Sequence, residues 1–450
     1  MNFNKVHTIY FLGIGGIGMS ALARYFKLQG KDIYGYDLTP SPLTQQLESE
    51  GIQIHYEADI SKIPEQTDLV IHTPAVPITH DEYQYFVELG IPIYKRAKII
   101  GLLSEGEFTI AVAGTHGKTS ICAITAHMIK SAGQNITALV GGMMKNYNSN
   151  LIVSDPTDYL LLEADEFDRS FLEIKPDIAL ISSMDADHLD IYGHHDELRS
   201  NFVRFAELLN EDGILITHSK LDGFGQLDLT KFRYGINMQS DYRAENIRIS
   251  EGRFVFDLVS PNLKISNIKM NIPGEHYVEN AVAASAIGLQ VGLTSEEIKN
   301  GLESFTGVER RFELRINEPN CVFVDDYAHH PEEIKVTVKA LKSLFPEKKI
   351  TGIFQPHLYS RTRDFADDFA ESLETLDEII LLDIYPAREE PIPGVDSEMI
   401  LSRIKNPDKK LLKKEELFKQ LQHSKPEVVL TMGAGDIGLM ADKIESILKK

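Results

Sequence analysis

The chain has 450 residues, 43% of them hydrophobic, and a formal net charge of −21. That length predicts roughly three domains with full cores, and the acidic balance argues against nonspecific nucleic-acid binding, which needs a basic surface. No apolar run is long enough to span a bilayer, Met1 to Lys5 lack a signal-peptide layout, and Cys122 and Cys321 stand in apolar runs without metal-ligand spacing, so a cytoplasmic protein with reduced core cysteines and no membrane insertion is expected.

In chain order the predicted elements alternate between strands and helices, the pattern of parallel sheets covered on both faces. A first unit, residues 1–104, opens with a strand over Val6–Leu12 and continues with strands over Ile33–Asp37 and Asp68–His72. After the first strand, Gly13, Gly15, Gly16 and Gly18 form a GxGxxG turn that opens a helix. Such a turn offers a diphosphate site at a helix N-terminus, and Asp37 ends the next strand, where an acid commonly accepts from a ribose hydroxyl. A nicotinamide dinucleotide, as in an NAD-dependent oxidoreductase, and a nucleotide-diphosphate sugar fit it equally well; a structural glycine turn is the bland alternative.

A second unit, residues 105–311, begins with a strand over Phe108–Ala113, then Gly114, Thr115, His116, Gly117, Lys118 and Thr119, then a helix over Ser120–Ala126. Backbone N–H groups and the positive helix end converge on one place there, which suits the phosphates of ATP. Lys118 adds a charge toward the β/γ-phosphates, and the Thr119 hydroxyl stands where a P-loop holds Mg²⁺. The first glycine is nearer the Gly-Lys pair than in the usual pattern, so the turn is a variant form; a tight turn with a solvated lysine is its alternative. A redox enzyme needs no such turn, which weighs against the dehydrogenase. Strands over Tyr159–Glu163 and Asp177–Ser182 lead into acids, Glu163, Asp165, Glu166 and Asp168 after one and Asp185, Asp187 and Asp190 with His188 after the other. Acids at such strand ends hold the Mg²⁺ that neutralises phosphates, but chemistry alone does not rank them against helix-capping or loop acids. His188 considered alone reads as a hydrogen-bonding residue, and His194 and His195 as loop surface. Alternation in Arg253–Leu258 predicts antiparallel strands between Asp241 and Pro273.

The third unit, residues 312–450, has strands over Cys321–Val324, Ile350–Phe354, Glu378–Leu382 and Val428–Thr431. Phe365, Phe369 and Leu373, four apart, predict one buried helix face. Short linkers are expected near Leu103–Glu107 and Gly307–Arg311.

Taken together these segments resemble the Mur ligase family, ATP-dependent ligases that build the peptide stem of peptidoglycan. The resemblance spans nearly the whole chain. It rests on Phe11–Ser20, Gly114–Thr119, Glu163–Glu166, Asp187–Asp190, Gly307–Glu313, Val324–Pro331, Phe354–His357, Tyr385–Val395 and Gly433–Ile437. It implies an α/β chain of three domains: a Rossmann-like N-terminal domain for a UDP-sugar, a central P-loop ATPase domain with an added antiparallel β segment, and a Rossmann-like C-terminal domain that brings the amino acid. The substrates it implies are ATP, UDP-N-acetylmuramate and L-alanine. By similarity Lys118 and Thr119 serve the phosphates and a first Mg²⁺, and Glu163 and His188 a second. His276 and Asn280 match an adenine pair, Asp326 a ribose ligand, and Arg311 a cation that reaches the γ-phosphate across a domain junction. Tyr327, His330 and Arg361 match positions lining the alanine pocket. Helix capping is the alternative for His276 and Asn280, and a surface salt bridge for Arg311 and Arg361.

Three departures from the family pattern stand out. Tyr277 replaces the asparagine that follows the first adenine-motif histidine, and Leu358 replaces an arginine after His357. The stretch Leu198–Phe205 has no lysine to be carbamylated, in keeping with the alanine-adding branch. A recycling ligase that joins a whole tripeptide to the same sugar nucleotide is the runner-up within the family. A non-catalytic nucleotide-binding regulator would have no need of the metal-binding acids.

Overall fold

The computed structural model describes residues 1, 3–185, 192, 194–236, 239–387 and 389–450. His188, with Asp187 and Asp190, therefore lies outside the described residues. By its internal contacts the chain divides into two compact units, the first comprising Met1–Ala244, Leu258–Ile265 and Asn280–Leu302, the second Glu245–Asp257, Ser266–Glu279 and Glu303–Lys450.

The first unit begins with five parallel strands, β1 (Thr8–Leu12), β2 (Asp32–Tyr36), β3 (Gln53–His55), β4 (Leu69–His72) and β5 (Ile93–Lys95), in the order β3-β2-β1-β4-β5. Next come β6 (Thr109–Ala113), β7 (Ile136–Met144), β8 (Ser149–Ile152), β9 (Tyr159–Ala164), β10 (Ile178–Ile181), β11 (Ile214–His218) and β12 (Thr230–Gly235). They follow the order β12-β11-β10-β6-β9-β7-β8, parallel except for the β7–β8 hairpin. Every side chain of β6 and β10 is buried, as expected of strands covered on both faces. A single apolar cluster runs through this unit from Ile9 and Phe11 in the first sheet to Leu215 in β11, so the two sheets share a core. The ladder is extended beyond β12 by β13 (Tyr242–Ser250), β14 (Arg253–Val259) and β15 (Lys264–Met270). Glu251 and Gly252, with φ of 53° and 72°, make the two-residue turn between β13 and β14 that only antiparallel neighbours allow.

The second unit also holds β16 (Glu313–Glu318), β17 (Cys321–Asp326), β18 (Ile350–Phe354), β19 (Glu378–Leu381), β20 (Lys409–Leu411) and β21 (Val428–Met432). Their order is β16-β17-β21-β18-β19-β20, with only β16 antiparallel. The observed class is thus the α/β one expected. Three local expectations need correction. Phe365 is only half-buried, because it caps the short Tyr359–Asp364 helix and the helix face resumes afterwards, with Phe369 and Leu373 buried in Ala366–Leu373. Cys122 is fully buried, but Cys321 is only partly covered at the start of β17. His194 and His195 are exposed as expected, although His195 begins the His195–Ala206 helix instead of lying in a loop. No helix among the described residues is long and apolar enough to cross a membrane.

Candidate active site

The buried strand β6 delivers its chain into the turn Gly114–Gly117, and the helix Lys118–Ser131 leaves it. Gly117 has φ of 82°, a left-handed conformation that glycine adopts without the Cβ penalty. The turn is held from the end of β10: the His116 amide donates to Ser183 Oγ at 2.8 Å, and Thr115 Oγ1 lies 2.9 Å from the same hydroxyl. The Asp185 amide donates to Thr115 Oγ1 at 3.1 Å, and His116 Nε2 lies 3.5 Å from Asp185 Oδ2. Asn280 faces this turn, since a Cβ placed on Gly117 would lie 3.0 Å from Asn280 Oδ1.

Lys118 does not reach into solvent. Its ammonium donates to the Gly114 carbonyl oxygen and to Glu166 Oε2, each at 2.6 Å, and the Glu166 side chain is 1% exposed. Burial works against the lysine charge, but the carboxylates of Glu166, Asp165 and Glu163 hold its pKa above the ordinary value. Thr119 Oγ1 donates to Glu163 Oε1 at 2.9 Å, while Glu163 Oε2 accepts the Gly141 amide of β7 at 2.8 Å. A methyl group on Gly141 would overlap that carboxylate, so a larger residue there would force the Glu163 side chain to move. Beyond Glu166 the chain turns through Asp168 and Arg169 with φ of 53° and 56°, strained for residues with a side chain. The Tyr192 hydroxyl ties the bend by donating to the Glu166 carbonyl oxygen at 2.5 Å. Among the described residues no group of three or more His, Cys, Asp or Glu side chains is placed to hold a metal ion.

The Gly13–Gly18 turn belongs to the same unit. The Gly16 amide donates to the Gly13 carbonyl oxygen at 3.4 Å, and the Gly15 amide to Asp37 Oδ2 at 2.7 Å. Asp37 thus closes onto the glycine turn itself. Arg96, from the Arg96–Ser104 helix, lies against Gly18, where an added Cβ would overlap its guanidinium, and its Nη2 stands 3.7 Å from Asp165.

In the second unit Arg310 and Phe312 flank Arg311 with φ of 57° and 47°. The guanidinium carbons of Arg310 and Arg311 stand 5.1 and 4.9 Å from the centre of the Tyr327 ring. Asp326 is buried, accepts the Ala328 amide at 2.7 Å and the Phe312 amide at 2.8 Å, and is pushed up to about 6 by burial, against the pull of Arg311. His276 is pulled down to about 4 by burial and lies 4.8 Å, ring to ring, from Tyr277. Tyr277 is 3% exposed and donates its hydroxyl to the Arg311 carbonyl oxygen at 2.7 Å. His330 caps the Pro331–Leu344 helix, accepting the Glu332 amide at Nδ1, and its ring stands 5.1 Å from Phe365. Arg361 is buried at 7% exposure, whereas Arg363 is exposed and pairs with Asp364 at 2.7 Å. Leu358 is buried with φ of 70°, its amide bonded to the Tyr385 carbonyl oxygen at 3.0 Å, and His357 stacks on Tyr385 at 5.9 Å.

The structure therefore gathers Gly114–Thr119, Glu163 and Asn280 in one unit and Arg311, Asp326 and Tyr327 in the other. Sequence reasoning missed Arg96, Ser183 and Gly141, and left Glu166 unranked among its neighbours. A glycine pair ending the apolar run Ile136–Val140 was the available signal for Gly141; nothing local pointed to Ser183.

Comparison with known families now adds identity to this geometry. Profiles described as "Mur ligase family, catalytic domain", "Mur ligase middle domain" and "Mur ligase, glutamate ligase domain" match residues 8–107, 112–288 and 310–435. The UDP-N-acetylmuramate–L-alanine ligase of Flavobacterium psychrophilum is 48% identical, covering 100% of this chain and 99% of that protein. Among solved structures, UDP-N-acetylmuramate-alanine ligase from Thermotoga maritima aligns with a TM-score of 0.85 at 29% identity, over 98% of this chain and 99% of that one. A murein peptide ligase from Psychrobacter arcticus shares the fold, with a TM-score of 0.72 at 22% identity and 98% of each chain covered.

Proposed function

The chain belongs to the Mur ligase family, and on that premise we propose that it joins L-alanine to the lactyl carboxylate of UDP-N-acetylmuramate at the expense of ATP, as a cytoplasmic step of peptidoglycan precursor synthesis. The observation that carries this reading is full-length similarity, at nearly half identity, to a ligase of that activity. Two separate phosphate-type turns, Gly13–Gly18 and Gly114–Thr119, support it, because one suits the sugar nucleotide's diphosphate and the other ATP. In domain terms residues 1–104 take the UDP-sugar, 105–311 the ATP and 312–450 the amino acid.

In the first step a carboxylate oxygen of the sugar bonds to the γ-phosphorus, the bond to the β,γ-bridging oxygen breaks, and ADP leaves with the electron pair. The alanine amine then adds to the acyl phosphate carbonyl, loses its proton, and expels phosphate. A free carboxylate is a poor acyl donor, and phosphorylation supplies the leaving group it lacks. Gathering several anions demands compensating charge. Lys118 is assigned to the β/γ-phosphates, Arg311 to the γ-phosphate, Asp326 to the ribose, and His276 with Asn280 to the adenine. Gly13, Gly15, Gly16, Gly18 and Asp37 are assigned to the UDP-sugar, and Tyr327, His330 and Arg361 to alanine. Thr119 and Glu163, whose oxygens lie 2.9 Å apart, are hard donors of the type Mg²⁺ takes, and His188 is proposed with them. Bound there, Mg²⁺ would neutralise charge on the phosphates. Formation of ADP and ligated sugar nucleotide, dependent on L-alanine, tests the proposal.

A further inference from the structure

Asn150 is a wholly buried polar side chain that the ligase scheme does not use. It lies on β8, an edge strand of the sheet that carries the ATP-type turn, yet all three of its side-chain bonds go to the helix Ile17–Leu28 that leaves the sugar-nucleotide turn. Its Nδ2 donates to the Ile17 carbonyl oxygen at 2.7 Å and to Ser20 Oγ at 3.0 Å. Its Oδ1 accepts from Arg24 Nη1 at 2.5 Å. Arg24 is itself 5% exposed, and its Nε and Nη2 hold Glu50 at 2.8 to 3.1 Å.

The same hairpin reaches the phosphates' side of the unit through its other strand. β8 pairs antiparallel with β7, and the Gly141 amide of β7 donates to Glu163, whose other oxygen accepts from Thr119. The helix that leaves the sugar-nucleotide turn is therefore bonded to one strand of the hairpin, through Asn150, and the Thr119–Glu163 pair to the other, through Gly141, although the pairing of the two strands is irregular between Leu139 and Met144. A buried amide costs free energy unless its bonds are made. An apolar side chain would fill this junction at less cost, but it would specify no single placement of helix against hairpin.

We propose that Asn150 is a positioning residue: with Arg24 it fixes the Gly13–Gly18 turn relative to Glu163, and so sets where the sugar's carboxylate stands when it attacks ATP. The kinetic consequence rests on the ligase reading; the tether itself rests on the geometry alone. Phosphoryl transfer needs its reacting atoms about 3–3.5 Å apart, and a misplacement of about 1 Å from a distant change costs on the order of a hundredfold.

The experiment compares wild type, Asn150→Ala and Arg24→Lys by steady-state kinetics and by amide hydrogen exchange. Arg24→Lys keeps the charge for Glu50 but loses the fork that also bonds Asn150, and serves if Asn150→Ala does not fold. In folded variants kcat falls by about tenfold or more while the KM for ATP changes little, a split that a merely stabilising residue would not produce. The Ser20 amide, bonded to the Gly16 carbonyl oxygen at 2.8 Å, loses protection while the amides of β6 keep theirs. Wild-type kcat in the folded variants, or unchanged Ser20 protection, overturns the proposal. If the wild type itself forms no alanine-dependent ADP, the ligase reading fails, and the exchange comparison still decides the tether.

Discussion

Tyr277 donates its hydroxyl to the main-chain oxygen of Arg311 at 2.7 Å. The family pattern puts an asparagine at this place. The structure gives the tyrosine hydroxyl a task within the chain. It holds Arg311 between two residues, Arg310 and Phe312, whose backbones are left-handed, each such residue costing on the order of 1–3 kcal/mol unless its surroundings enforce it.

Tyr277→Phe removes the hydroxyl that makes that bond and keeps the buried ring. With Arg311 acting on the γ-phosphate, kcat should fall by about tenfold, with a smaller change in the KM for UDP-N-acetylmuramate. Equal kcat in mutant and wild type would show that the bend stands without the tyrosine.

Lys118→Ala should abolish ligation, and it also removes the ammonium that pairs with the buried Glu166 carboxylate. The folded state should therefore lose about 3–5 kcal/mol, the usual cost of breaking a buried pair from one side. Adding Glu166→Gln should restore much of the stability and none of the activity. Chemical denaturation and product assays on the single and double mutants separate the two effects.

Arg361 is buried and Arg363 is exposed and paired with Asp364, which supports the proposal that Arg361 is the cation for the alanine carboxylate. Arg361→Lys should raise the KM for L-alanine more than that for ATP, because a point charge does not reproduce a two-bond fork. Arg361→Ala should cost about 2–5 kcal/mol of alanine recognition. Arg363→Ala should do much less, and an alanine defect confined to Arg363→Ala would reverse the assignment.

Acid should destabilise the fold through its buried histidines. Burial takes His276 and His127 from the ordinary 6.5 to about 4. As pH falls, the unfolded chain takes up these protons near 6.5 and the folded chain only near 4, so this contribution is complete above 6.5 and is lost between the two values. Asp326, raised to about 6 by burial, acts in the opposite sense and offsets part of the loss. Each histidine contributes up to about 1.4 kcal/mol per pH unit in that window. His127→Gln should make the slope of urea stability against pH shallower; an unchanged slope would remove His127 from the account.

The fold was largely legible because buried parallel strands announce themselves as short apolar runs, and β6, β10, β18 and β21 lie where those runs predict. The glycine turns were legible because their spacing is local. Ser183, Gly141, Arg96 and Asn150 were not, since each acts on a different element distant in sequence: Gly141 meets Glu163, and Asn150 meets Ile17. The break at Phe365 was hidden for another reason, as apolar spacing persists through a helix cap. Tyr277 was visible as a departure, but its partner was not.

The central claim is most directly tested by incubating the purified chain with ATP, Mg²⁺ and UDP-N-acetylmuramate, adding L-alanine, L-serine, glycine or a murein tripeptide in separate reactions, and measuring ADP together with ligated product. The account predicts stoichiometric ADP and UDP-N-acetylmuramoyl-alanine, with L-alanine the preferred acceptor. Product formed with the tripeptide and not with L-alanine would contradict it and assign the chain to the recycling reaction.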